Sequence, residues 1–136
     1  MPHVVDASTA VSWVLEEGGP ANRFDLYERI AEAGVVVPEI WSLEVSNGLL
    51  HALMRHRLTE YQLARSMPIL DKLPVELESS TFASVMSSMF RLALESGLTT
   101  YEATYVELAK RRNIPLVTND NRVALAAASF GIEFFD

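Results

Sequence analysis

Cysteine is absent from the 136 residues, which excludes disulfides, thiolate zinc sites and cysteine nucleophiles and fits a reducing cytoplasm. No apolar run approaches the roughly 20 residues that span a bilayer. The N-terminus has no basic segment followed by an apolar core, so neither a membrane anchor nor a secretory signal is expected. Positive charge is scarce: 11 Lys and Arg against 18 Asp and Glu leave a formal charge of -7. That balance opposes tight nucleic-acid binding by the chain as a whole, because such affinity is largely phosphate neutralisation. The few cations are grouped, at Arg55-His56-Arg57 and Lys110-Arg111-Arg112, with Arg122 beside Asp120, so a local field can still steer a polyanion. Histidine is sparse too, and His3, His51 and His56 lack a paired zinc spacing. Long linkers, low-complexity tracts and internal repeats are missing, so residues 1–136 are expected to form one domain.

What is present reads as a globular α/β chain. Its 49% hydrophobic and 21% charged content exclude disorder. Short apolar runs near His3–Val5, Val35–Val37, Val75–Leu77, Leu116–Thr118 and Glu133–Phe135 alternate with longer helical patterns, as βα units around a parallel sheet do. One helix is expected to follow Asp6 and end near Glu16-Glu17-Gly18-Gly19. The next starts at Pro20 and stops at Gly34, and Pro38 marks the exit from the second strand. Thr59-Glu60-Tyr61-Gln62 has the capping-box form and predicts a helix to about Leu73. Further helices are predicted from about Ser80 to Gly97, from Thr99 to before Pro115, and over Arg122–Ser129.

Four carboxylates stand where a hard cation could be held. Asp6 and Asp120 follow the runs Val4-Val5 and Leu116-Val117, and ligands of open parallel sheets bind beyond the carboxyl ends of strands. Each Asp also suits the N-cap of the helix after it, and the two roles are compatible. Glu44 lies in a helix where, at about 100° per residue, Glu44, Asn47, Gly48, His51 and Arg55 form one polar stripe. Trp41, Val45, Leu49, Leu50 and Leu53 occupy much of the rest, so this helix is expected to be mostly buried unless the stripe is simply its solvent face. Glu102 competes between two roles, since Thr99 at the N-cap makes it the N3 member of a capping box.

The segments Val4-Val5-Asp6-Ala7-Ser8, Val37-Pro38 through Glu44-Val45-Ser46-Asn47, Gly97-Leu98-Thr99-Thr100-Tyr101-Glu102-Ala103 and Leu116-Val117-Thr118-Asn119-Asp120 resemble, in order, those of PIN-domain ribonucleases. The similarity is strongest to the toxin subunits of VapBC toxin–antitoxin pairs. One position departs: that family usually has Asp in a Tyr-Asp-Ala pattern where this chain has Glu102, a side chain one methylene longer. The resemblance implies a three-layer α/β/α fold with a central parallel sheet of four to five strands. It implies a Mg²⁺- or Mn²⁺-dependent endoribonuclease with Asp6, Glu44, Glu102 and Asp120 as catalytic and metal-site residues, supported by Ser8, Asn47 and Thr118. It also implies a homodimer built from helices and a small antitoxin whose basic segment occludes the groove. Two rivals remain at this point: a PIN-like binding module whose altered third acid has cost it catalysis, and a phosphatase with an Asp nucleophile. The second would usually show Asp-x-Asp, whereas this chain reads Asp6-Ala7-Ser8.

Overall fold

Val4 and Val5 are fully buried and form β1 (Val4–Val5), which pairs in parallel with β4 (Leu116–Val117) in the register Val4↔Leu116 and Val5↔Val117. A computed structural model of the chain describes residues 1–16 and 24–135. The helix after Asp6 closes at the C-cap Glu16, within the end expected near Glu16-Glu17-Gly18-Gly19; Glu17-Gly18-Gly19 and the helix start expected at Pro20 lie outside those residues. β5 (Phe134–Phe135) continues the sheet beyond β4, while β2 (Val35–Pro38) and β3 (Val75–Glu78) form a separate parallel pair. The two groups meet at a single bridge, His3↔Val35, where the Val36 N–H donates to the His3 carbonyl at 3.0 Å. The sequence pattern predicts one continuous sheet. Instead a three-stranded and a two-stranded sheet touch at one residue, because β1 is only two residues long and offers β2 only His3.

Across the bridge, the order is β3-β2-β1-β4-β5. The chain leaves β1 for β2 on one side, yet β4 lies on the other. That reversal opens a crevice at the carboxyl ends of β1 and β4. Helices make the outer layers. α1 (Ala7–Leu15) packs on α3 (Trp41–Met54) and α5 (Pro68–Asp71), while α8 (Thr100–Arg112) lies against β1, β2 and β4 and carries α7 (Phe90–Ser96) and α9 (Asn121–Ser129). α1 and α3 approach closely because Gly48 has no side chain: a Cβ there would sit 2.8 Å from a Val11 methyl.

α2 (Phe24–Ala33) ends at Gly34, whose φ of +96° suits glycine, as the sequence indicates. The capping box at Thr59 forms, but its helix is shorter than expected. α4 (Glu60–Ser66) stops and α5 begins because Pro68 has no N–H to continue the ladder. The segment expected from Ser80 to Gly97 is capped by Thr81 and consists of α6 (Phe82–Ser84), a π turn (Val85–Met89) and α7, with Gly97 left-handed at its end. The expectation that α3 is mostly buried fails. Only Trp41, Val45, Leu49 and Ala52 are buried, while Leu43, Leu50 and Met54 are exposed, because apolar periodicity alone does not tell a covered face from an open one. Among the described residues no helix is long and apolar enough to cross a membrane.

Candidate metal centre

The β1–β4 register places residue 6 beside residue 118, and this adjacency builds the first corner of the site. Asp6 is the N-cap of α1. Its Oδ1 accepts from the Thr9 N–H at 2.9 Å and the Ser8 hydroxyl at 3.2 Å, and its Oδ2 accepts from the Thr118 hydroxyl at 2.5 Å. Burial raises the Asp6 pKa above the usual carboxylate range, and these hydrogen bonds offset only part of the rise. The same Thr118 oxygen accepts from the Asp120 N–H at 3.0 Å, which ties the two acids together. Asp120 caps α9 through Oδ1, which takes the N–H groups of Arg122 (2.8 Å) and Val123 (3.3 Å). Capping and site placement therefore coincide at both aspartates.

Glu44 projects from the first turn of α3, and its Oε1 accepts from the Tyr105 hydroxyl of α8 at 2.5 Å. Burial raises its pKa, the Tyr105 bond works against that, and the nearby charges of Asp6 and Glu102 push it up again. Glu102 completes the capping box predicted for α8: Thr99 N–H to Glu102 Oε1 is 2.9 Å and Glu102 N–H to Thr99 Oγ1 is 3.0 Å. Its Oε2 takes the Arg122 guanidinium at 2.6 Å. Asp6, Glu44, Glu102 and Asp120 together line one cavity of about 160 Å³, with Ser8 and Tyr105 in its wall.

Acids that repel one another in a partly buried cavity fit a hard divalent cation by donor type, since oxygen ligands are what Mg²⁺ and Mn²⁺ take. Among the described residues no three His, Asp or Glu side chains converge closely enough to enclose an ion directly. Mg²⁺ usually keeps several waters and needs only one or two carboxylates. All four acids line the cavity; both oxygens of Asp6 and of Glu102 accept from protein donors, whereas Glu44 and Asp120 are each held by hydrogen bonds through one oxygen.

Ser8 and Thr118 stand where the sequence puts them, as donors to Asp6. Asn47 does not: it is exposed and lines an adjoining groove with Gly48 and His51, and only Glu44 and the start of α1 border both spaces. Asn119 binds across to α1 through Ser12 and Thr9. Sequence reasoning passes over Tyr105. It sits three residues after Glu102 on α8, but a buried Tyr beside Val106 reads as core. Its hydroxyl is raised well beyond the usual phenol range by burial and by Glu44, so it stays a donor at any physiological pH. Tyr105→Phe should cost about 1.5–3 kcal/mol, the range for a hydrogen bond to a charged group, and should move the Glu44 pKa further up. Denaturant unfolding and a carboxylate NMR titration measure the two effects.

Known proteins share this arrangement of elements. A family model described as "PIN domain" matches residues 3–129. Ribonuclease VapC1 of Mycobacterium tuberculosis is 33% identical over 125 residues, covering 90% of this chain and 89% of that protein. Ribonuclease VapC3 of Pyrobaculum aerophilum is 29% identical over 126 residues, covering 91% and 93%. In fold, the crystal structure of PAE2754 from P. aerophilum matches with a TM-score of 0.71 at 22% identity, covering 98% of this chain and 90% of that one. That of FitAcB from Neisseria gonorrhoeae matches with a TM-score of 0.66 at 15% identity, covering 98% and 96%.

Proposed function

From the premise that this chain belongs to the PIN domain family, with VapC ribonucleases among its relatives, we propose that it is a Mg²⁺- or Mn²⁺-dependent endoribonuclease, the toxin of a toxin–antitoxin pair. The observation that carries the metal dependence is the shared cavity: four carboxylates from four distant segments meet at the carboxyl ends of two adjacent parallel strands. A divalent cation there supplies charge neutralisation at the attacked phosphate and a lower pKa for the attacking water.

The protein's own part is to fix the acids. Thr118, Ser8 and the Thr9 N–H hold both oxygens of Asp6, and Tyr105 holds one oxygen of Glu44. Donors that favour the ionised form oppose the burial that raises the pKa of both acids, offsetting part of its effect. Asp120 turns Oδ1 to its helix, and among the described residues its Oδ2 has only the Arg122 guanidinium, at 3.9 Å. Asp6, Glu44 and Asp120 are the principal ligands, directly or through water. Glu102, held by Thr99 and Arg122, acts through water, orienting the nucleophile or a second ion. The test is RNA cleavage by the purified chain with Mg²⁺ or Mn²⁺ and after chelation; a chain folded but inert with either ion supports the binding-module alternative.

Glu102→Gln separates its two roles. Gln fills a capping box as well as Glu does, since Gln62 already does so for Thr59 in this chain at 2.9 Å. Melting is therefore expected to change little. Cleavage is expected to fall about tenfold or more, and Glu102→Asp to keep or raise it. A fully active Glu102→Gln protein leaves Glu102 a cap only.

Two partners follow from charge. A net charge of -7 with an acidic cavity favours an antitoxin segment that brings Arg to the carboxylates, which Arg can pair in bidentate fashion. A second copy of the chain suits the outer stripe Phe82, Met86, Phe90 and Leu94, all exposed, because residues 79–94 contain no Asp or Glu. There two acidic chains can approach without carboxylates facing one another. The absence of cysteine supports a cytoplasmic setting.

A further inference from the structure

We infer that single-stranded RNA enters the acidic cavity along a continuous basic groove over α1, α3 and α4, its phosphates met by Arg55 and Arg65 and one base stacked at Tyr61. This rests on the ribonuclease reading and adds to it the path of the substrate. Two further cavities extend from the site. The first, about 430 Å³, shares Ala7, Ser8 and Glu44 with the acidic cavity and is walled by Asn47, His51, Arg55 and Arg57. The second, about 650 Å³, shares Leu15 and Arg57 with the first and continues to Thr59, Tyr61, Gln62 and Arg65, with Glu16 its one acid among the described residues. The succession is therefore acids, then cations, then an aromatic.

Each part matches a requirement of the ligand. Single-stranded nucleic acid binds in grooves that pair cations along the backbone with aromatic rings for the bases. Tyr61 is 70% exposed, so its ring is accessible to a base. The Arg65 guanidinium already lies over that ring, 5.8 Å from its centroid, where it can sandwich or yield to a base. Among the described residues no carboxylate pairs with Arg55 or Arg65, so both stand ready for phosphate. The other basic cluster is differently placed. Arg111 pairs with Glu78 and Glu107, Arg112 with Glu76 and Glu78, and Lys110 lies over the Phe130 ring. The Lys110-Arg111-Arg112 run, which the sequence alone offers as an RNA-steering patch, thus has its arginines committed to holding α8 to β3. Although the net charge of -7 repels RNA overall, the local field of Arg55 and Arg65 draws it to the face that carries them.

The test uses the full chain carrying Asp6→Asn, so that RNA stays intact, and a fluorescein-labelled 12-nucleotide single-stranded RNA followed by anisotropy. Arg55→Gln with Arg65→Gln is expected to weaken binding roughly tenfold and to flatten the slope of log K against log salt by about 0.7 for each phosphate no longer neutralised. Tyr61→Leu is expected to weaken it at least about fivefold with no change of slope. Lys110→Gln should change neither. In the active chain the groove variants should slow cleavage of the 12-mer mainly through KM. If the groove variants bind RNA like the parent while the active chain cleaves it, the path lies elsewhere and the inference is wrong, though the ribonuclease reading stands. If instead they fail to bind a co-expressed partner protein while RNA binding is unchanged, the groove is a protein-docking surface and the inference is likewise overturned. A chain that neither binds nor cleaves RNA overturns both readings.

Discussion

Replacing Asp6 by Asn is expected to lower RNA cleavage by at least about 10³-fold, because it removes an anionic oxygen from a site where bound metal contributes several kcal/mol of charge stabilisation. The fold should survive. The folded-state pKa of Asp6 is raised by burial, so protonation stabilises the native state. That stabilisation is fully present below the unfolded-state value and is lost as pH rises through the raised folded value. An ionised Asp6 is therefore a cost to the native state, and a neutral amide escapes it. Asn retains one carbonyl oxygen for the Thr9 N–H, and the Thr118 hydroxyl can rotate to accept rather than donate. Melting at pH 7 should thus be close to that of the parent or above it. Added Mg²⁺ should raise the parent's melting temperature and leave the variant's unmoved. Asp120→Asn should match it in activity and keep its helix cap, since an amide oxygen can accept the same two N–H groups of α9.

Expression of the chain alone is expected to arrest growth of its host, the second large effect. An unrestrained endoribonuclease consumes transcripts, and the acidic cavity offers no internal lid among the described residues: its nearest cation, Arg122, is 63% exposed and covers only Glu102 and the outer edge of Asp120. Co-expression with an operon neighbour carrying a basic inhibitory segment should restore growth, and so should Asp6→Asn. Growth curves for the three strains, with protein levels checked by blot, decide it. Equal growth in all three with abundant folded protein removes the toxin reading.

The strands are legible in the sequence because short apolar runs such as Val35–Val37 and Leu116–Val117 are buried on both faces and have few other fates. Asp6 and Asp120 are legible as the polar residues that end those runs. Glu102 is legible twice over, since the same four residues spell a capping box and a metal corner, and the capping half forms as written. Asn47 is misplaced because a shared helical stripe gives direction but not depth. One turn along α3 carries it about 5 Å past Glu44 and into the next groove. Tyr105 is hidden for the opposite reason. Its partner lies 61 residues away on another helix, and nothing local distinguishes it from a core aromatic. The exposure of Leu43, Leu50 and Met54 on α3 escapes too, because hydrophobicity marks a face as coverable and does not say what covers it.

If the four-acid cavity binds a divalent cation and RNA cleavage depends on that ion, the two properties must fall together. Calorimetric titration of Mn²⁺ into the parent chain, Asp6→Asn and Asp120→Asn, with cleavage of one RNA measured on the same preparations, tests this most directly. Saturable binding and cleavage are expected in the parent, with both lost together in each variant while circular dichroism stays unchanged. A variant that binds Mn²⁺ and cleaves RNA as the parent does would contradict it.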